Sequence, residues 1–447
     1  MWCALRVLAG LQTLPKPLST GDRICGVKIT NQVRHGPPML RFHGTDGSRA
    51  YNVDQFYSID TGAFLCWQNE ARFASLPQDP DLLWPSLEWA GGVLTPRPAG
   101  ESLADRWQEV RSPEAALSVA RGLARVLARM HAMGIAHLRL GPRVVHYRPR
   151  HEQVQLSSFT IARRNGWDDF WTDSFPPLYD TAWVAPEVLR GERGDERADV
   201  FGFGCLLVWL LTGRPPFGSL RRAWRELAHA RCPARLPLDA PGHDPVLLPL
   251  AHACLAVEPD DRPDAAEIAH IMGVSLPDPA PVFSQVPDRK EEASHPAKQE
   301  GPLLRIMAFA AGDDKAAVVM EQARSRAIEQ DGIVLFVGLV PVNLPSGHLE
   351  RFKAALFAEM GQALWHCRRD NVRYGLRILE NVAPARTAEA LVRRYEPDVI
   401  LVGEPSTISR IRGGVVPRLQ RLDTPVHIVG ANAAGAGAES QAGANKA

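Results

Sequence analysis

The chain has 447 residues, 45% of them hydrophobic, with 51 Lys and Arg against 50 Asp and Glu and a formal net charge of +1. That length predicts two or three domains, and the balanced charge gives no overall basic field of the kind a nucleic-acid binder carries. The 7 cysteines are odd in number and form no Cys-x-x-Cys pair, which fits reduced thiols rather than a disulfide framework or a zinc site.

In chain order, the start at 1–10 is only mildly apolar and carries Arg6, so it makes a poor signal peptide. Lys28 falls on the first predicted strand. Gln32-Val33-Arg34-His35-Gly36-Pro37-Pro38-Met39 follows as a loop with one glycine and two prolines. Asn69-Glu70-Ala71-Arg72 sits in a first helix pattern, and a long amphipathic helix ends at Gly134. Next come Ile135-Ala136-His137-Leu138-Arg139-Leu140-Gly141-Pro142-Arg143-Val144, then Leu156-Ser157-Ser158-Phe159-Thr160, then Val184-Ala185-Pro186-Glu187. Asp199 opens an apolar helix at 200–211 that is too short to span a bilayer, and Asp261-Arg262-Pro263 precedes another helix pattern.

From 276 to 301 the composition turns to Pro and charge, as in Pro277-Asp278-Pro279-Ala280-Pro281 and Asp288-Arg289-Lys290-Glu291-Glu292, and reads as a linker. Beyond it strand and helix patterns alternate. Strands are predicted at 303–310, 332–342, 374–381, 398–403 and 426–429, and helices at 314–330, 349–367, 387–395 and 416–422. Apolar strands alternating with helices predict a doubly wound parallel sheet. The last segment, 433–447, is nearly all Ala, Gly, Asn and Ser and reads as a disordered tail.

The first part resembles a protein kinase. His137 to Val144 is similar to the catalytic loop, Ser158-Phe159-Thr160 falls where the family has Asp-Phe-Gly, and Val184 to Glu187 is similar to Ala-Pro-Glu. Asp199 matches the helix aspartate that holds the catalytic loop, and Arg262 matches the arginine that pairs with that glutamate. The resemblance implies an α+β bilobal fold over 1–275, with an N-lobe at about 20–98 and a C-lobe at about 99–275.

Several groups that phosphoryl transfer uses are replaced. At the base position stands Arg139, a guanidinium that stays protonated. Val144 and Ser158 occupy the two metal-holding positions, and neither brings a carboxylate. No lysine occurs from 29 to 289, so Glu70, which matches the helix glutamate that pairs with the ATP-anchoring lysine, finds none around Ala50-Tyr51-Asn52-Val53. The loop at 32–39 lacks the glycines of a phosphate cradle. The expectation is therefore a non-enzyme: a catalytically inactive kinase-like signalling or scaffold protein with no catalytic residues, no metal and no cofactor.

The second part, 302–432, resembles the universal stress protein family in Pro397-Asp398-Val399-Ile400-Leu401-Val402-Gly403, Gly413-Gly414-Val415 and Thr424-Pro425-Val426. ATP-binding members carry Gly-x2-Gly-x9-Gly-Ser after the fourth strand. Here Ser406 replaces the second glycine, the loop is shorter, Gly414 takes the place of the serine, and Ala311 stands where the family has a nucleotide-contacting aspartate. Gly403, Gly413 and Gly414 are the residues that could still hold a nucleotide, against the alternative of a tight turn.

The resemblances imply protein partners, other kinases among them, and a homodimer through the C-terminal domain at strand 426–429, while the balanced charge and the short apolar run argue for no nucleic acid and no membrane. The reduced thiols, the poor signal peptide and the short apolar run predict a cytoplasmic protein, and the fusion of the two resemblances a bacterial one. Two alternatives stay open. One is an atypical kinase or related transferase using Asp168, Asp169 or Asp180 for a metal and an arginine such as Arg49 for phosphate. The other is a nucleotide sensor working through the C-terminal domain. The His252 and Cys254 pair and the His366 and Cys367 pair read as packing residues.

Overall fold

A computed structural model of the protein describes residues 17–34, 39–58, 60–165, 167, 181–190, 192, 194–217, 246–276, 303–310, 316–342, 344–403 and 415–429. The predicted linker from 277 onward and the tail at 433–447 lie outside the described residues, as do His35 to Pro38, Asp168, Asp169, Asp180, Ala311, Ser406, Gly413 and Gly414.

The N-lobe is built on a six-stranded sheet, whose strands include β1 (Val27–Arg34), β2 (Met39–Thr45), β3 (Ala50–Phe56), β4 (Leu87–Trp89) and β5 (Gly92–Pro96), with Arg23–Ile24 at one edge. Pairing is antiparallel throughout, and alternation puts Val27, Ile29, Leu40, Phe42, Val53 and Leu94 into one core beneath the sheet. Gly92 is required where β5 passes β3, because a Cβ there would lie 2.0 Å from the Asp54 carbonyl oxygen.

Helix α1 (Thr61–Arg72) crosses behind this sheet, its start fixed by the Asp60 carboxylate accepting the Ala63 amide. Its buried positions Phe64, Trp67, Gln68 and Ala71 recur at the three- and four-residue spacing of one helical face.

The C-lobe centres on α2 (Pro113–Ala132) and α3 (Glu196–Thr212). Ser112 caps α2 with Pro113 in its first turn, and the helix buries Val119, Ala120, Leu123, Ala124 and Leu127. Helix α3 is apolar on all sides because it is surrounded. It starts at the Asp195 cap and stops at Gly213, whose φ of 76° reverses the chain. Against them pack α4 (Leu247–Cys254) and α5 (Ala265–Ile271), together with the hairpin of β6 (Val145–Arg148) and β7 (Gln153–Ser157).

The C-terminal part is a five-stranded, all-parallel sheet of β8 (Arg305–Ala310), β9 (Ile333–Pro341), β10 (Arg373–Val382), β11 (Val399–Gly403) and β12 (Val426–Val429), in the order β10-β9-β8-β11-β12. Both faces are covered, and side chains within one strand sort by parity. Ile306, Ala308 and Ala310 meet α6 (Ala316–Glu329) and α7 (Ser346–Arg369), whereas Met307 and Phe309 meet α8 (Pro384–Tyr395) and α9 (Val415–Leu419). The α+β lobes followed by an α/β parallel sheet wound on both faces accord with the expected fold class, and every predicted strand of the second part overlaps an observed one.

The two parts are not independent bodies. Phe56, Phe64, Trp67 and Ala71 of the N-lobe share one core with Leu356, Phe357, Met360 and Leu364 of α7. The linker composition gave no hint of this contact. Among the described residues, no helix is long and apolar enough to cross a membrane.

Candidate functional site

The cleft between the lobes is framed by the segment after α2. Asp199, 1% exposed at the start of α3, accepts the amides of His137 and Leu138 at 2.7 Å each and meets His131 Nε2 at 3.0 Å. Those bonds hold Leu138 at a φ of 62°, a left-handed conformation that costs a non-glycine residue about 1 kcal/mol. Burial lowers the His137 pKa, and the neutral ring donates Nε2–H to the Ser157 carbonyl while Nδ1 accepts the Arg139 amide. Its ring meets Phe159 edge-on at 5.0 Å, and Phe159 packs in turn on Phe73 and Trp84.

From the other side, α1 grips the segment that contains Phe159. Asn69 Nδ2 reaches the carbonyls of Thr160 at 3.2 Å and Ala162 at 2.9 Å, and Glu70 Oε1 accepts the Phe159 amide at 3.2 Å. Burial first, and then repulsion from Asp54, push the Glu70 carboxyl up to about 7 against the pull of Arg41.

The three replaced positions stand together in this cleft. Arg139 donates to Thr160 Oγ1 at 3.1 Å, beside Ser158, and the Val144 carbonyl accepts the Ser157 amide at 3.0 Å. Ser158 keeps a φ of 70°. Burial lowers His146 to about 4 against the pull of Asp105, so its ring is neutral where Nε2 meets Ser157 Oγ at 2.8 Å. The family's magnesium does not fit these side chains, because Val144 has no ligand atom and Ser158 no charge. No group of three His, Cys, Asp or Glu among the described residues is placed to hold a metal.

A second cation, Arg41, faces Glu70 from a strand that the sequence reading passed over. Strand pairing sets Arg41 of β2 directly opposite Asp54 of β3. Arg41 Nε and Nη2 fork onto the Asp54 carboxylate at 2.6 and 2.7 Å. The Arg41 side chain is still 47% exposed, whereas that of Asp54 is 7% exposed. Arg49, the arginine considered from the sequence, is exposed at the turn after β2, where its amide caps Asp46. Lys28 is exposed on β1. Only the register of the β2–β3 hairpin could have revealed Arg41.

Elsewhere, Arg262 and Glu187 form the expected pair, with Nη1–Oε1 at 2.7 Å and Nη2–Oε2 at 2.9 Å. Gly403 closes β11 opposite Val429.

A catalytic-loop segment held by a helix aspartate and a buried arginine–glutamate fork give the C-lobe the arrangement of a protein kinase. Residues 94–272 match the protein kinase domain family.

The curated relatives are kinases as well. The serine/threonine-protein kinase PkaA of Streptomyces coelicolor is 30% identical over 233 residues, which is 46% of this chain and 42% of that protein. The serine/threonine-protein kinase PknJ of Mycobacterium tuberculosis is 33% identical over 181 residues, 36% of this chain and 31% of that protein. The human dual specificity testis-specific protein kinase 1 is 27% identical over 284 residues, 60% of this chain and 37% of that protein. The chain thus spans less than half the length of each.

These matches correct the expectation of a catalytically inactive non-enzyme. The matched family and the names of these relatives are those of kinases, and they point to an enzyme. The physical reason for the error lies in testing each replaced position by its own side chain. Counting lysines along the sequence could not see that the hairpin register brings Arg41 to Asp54.

Proposed function

We propose that the chain is a serine/threonine protein kinase of atypical charge placement, in which arginines neutralise the phosphates of ATP. The observation that carries this reading is Arg41, half-exposed and aimed at Asp54 beside Glu70. Phosphoryl transfer proceeds through a loose transition state whose charge lies on the phosphoryl oxygens, so positioning and charge neutralisation do most of the work. A guanidinium is suited to that task because it is always charged and donates in a planar fork. In this reading Arg41 contacts the phosphates from the N-lobe side, and Arg139 meets the transferring group from the catalytic loop. No step is assigned to a metal.

The test is transfer of labelled phosphate from ATP to a serine/threonine peptide mixture by the full chain, in magnesium and in chelator. Transfer is expected in both, falling by about 10²-fold in Arg41→Ala and in Arg139→Ala, the loss typical of one preorganised donor. Wild-type transfer no faster than that of heat-treated protein refutes the reading.

We read the C-terminal sheet as universal-stress-protein-like, supported by its all-parallel order with the first strand central. A homodimer through β12 is part of this reading. That strand is at the sheet edge and leaves Ile428 44% exposed. Sedimentation of Ile428→Lys against wild type tests it, with a shift from dimer to monomer expected. Protein substrates or partners in a bacterial cytoplasm complete the proposal.

A further inference from the structure

Helix α1 has two working faces. On one, Asn69 and Glu70 hold the backbone of Phe159, Thr160 and Ala162 in the cleft. On the other, Phe64 stacks on Phe357 of α7 with centroids 4.6 Å apart and planes 13° apart, and Trp67 stacks on Phe56 at 4.8 Å. A polar ring closes this second contact. Arg368 of α7 donates Nε to Glu88 Oε2 at 2.7 Å, Nη1 to the Tyr374 hydroxyl at 2.7 Å and Nη2 to Gln68 Oε1 at 3.0 Å. The side chains of Arg368 and Glu88 are 9% and 8% exposed, so the ion pair is sealed inside the contact. At the start of α1, Thr61 donates to Glu380, which also receives Lys353 Nζ at 2.8 Å.

A buried charge pair is stable only when both partners stay in place, and an aromatic stack in a shared core leaves α1 no low-cost way to tilt. We propose that the C-terminal α/β domain is the positioning element of the cleft, with α7 fixing α1 and, through Asn69 and Glu70, ordering the segment from Phe159 to Ala162. Phe357, Gly361 and Arg368 are then positioning residues that act at a distance. Whatever shifts α7 within the C-terminal domain, including a partner bound there, alters the cleft. The consequence for ATP rests on the kinase reading above, whereas the ordering of the segment does not.

Gly361 offers a way to break the contact without stranding a charge. Its Cα faces the Trp67 ring, and a Cβ there would lie 3.1 Å from it, so Gly361→Trp cannot dock. Arg368→Ala is the second variant, and the exchanged pair Glu88→Arg with Arg368→Glu is the rescue. All are made in the full chain, and amide hydrogen exchange is read at Phe159 to Ala162 and in α1, together with KM for ATP and kcat.

The expected result is exchange at Phe159 roughly tenfold or more faster in Gly361→Trp and Arg368→Ala, with the central strands β8 and β9 still protected. KM for ATP should rise more than kcat falls, and the exchanged pair should recover part of both. Faster exchange in α1 with unchanged exchange at Phe159 overturns the proposal. If wild type transfers no phosphate, the kinase reading fails and the exchange result decides this one alone. Should Gly361→Trp lose its cooperative unfolding transition, Arg368→Ala and its rescue decide the matter by the same two measurements.

Discussion

Arg262 lays both terminal nitrogens on the Glu187 carboxylate, and the side chains are 0% and 5% exposed. The guanidinium is further satisfied by the carbonyls of Ala256, Arg197 and Val257. Removing the carboxylate leaves a buried charge short of its counter-ion. Glu187→Ala is therefore expected to cost about 3–5 kcal/mol, and the double change Glu187→Leu with Arg262→Met is expected to cost less than either single change. Chemical denaturation of wild type, Glu187→Leu, Arg262→Met and the double variant closes the cycle, and a double change as costly as the sum of the singles would contradict it.

Asp199→Ala should strand the amides of His137 and Leu138 in a site that excludes water. Two buried, unpaired donors cost about 2–4 kcal/mol together. Leu138 is also freed from its positive φ, so the catalytic-loop segment should lose order. Faster proteolysis between α2 and β6, with the C-terminal sheet intact, is the expected result. Asn at this position offers a single acceptor oxygen and should recover about half of the loss.

The C-lobe scaffold was legible in the sequence because its residues act from fixed local motifs. His137, Phe159, Glu187, Asp199 and Arg262 each sit at a spacing that a single segment defines. The five parallel strands were legible for a similar reason, since apolar runs of strand length alternating with helices admit few other folds. What stayed hidden depends on pairing between segments. Arg41 meets Asp54 only because the hairpin register puts 41 opposite 54, and nothing in the spacing of either residue marks the pair. The helix pattern at Asn69 to Arg72 carried no sign that part of the core beside it belongs to a helix some three hundred residues later, as the 300-residue separation of Gln68 and Arg368 shows. Hydrophobic periodicity says that a face is buried, never against what.

Glu70 gives the cleft a pH-dependent stability. Its folded carboxyl titrates at about 7, above the unfolded value of 4.5, because burial opposes its charge. Below pH 4.5 both states are protonated and the shift has no effect. As pH rises from there the unfolded chain releases its proton first, so stability falls until about pH 7 and then levels off, by about 3 kcal/mol in all. Glu70→Gln keeps an oxygen for the Phe159 amide and has no proton to lose. The variant should gain stability relative to wild type between pH 5 and 7, and parallel curves for the two proteins over that range would rule out the assignment.

Val144 and Ser158 stand where a magnesium-binding kinase has an amide and a carboxylate, and the backbone around them is held in place from both sides. Ser158 has a φ of 70°, a conformation that Asp tolerates better than most residues. Val144 is half-buried next to Ser157, so a polar side chain there costs a little apolar contact without being sealed from solvent. The double change Val144→Asn with Ser158→Asp should therefore fold and acquire a cation site that needs nucleotide to complete it. With ATP at a hundred times its dissociation constant, ligand linkage amounts to about 2.7 kcal/mol, enough to move a thermal midpoint by several degrees. In wild type the ATP-induced shift should be the same in magnesium and in chelator if, as proposed, Arg41 and Arg139 carry the neutralisation. In the double variant it should grow with magnesium and fall back to no more than the wild-type shift in chelator, since both arginines are kept. A wild-type shift that itself requires magnesium would move the phosphate-neutralising role away from the arginines.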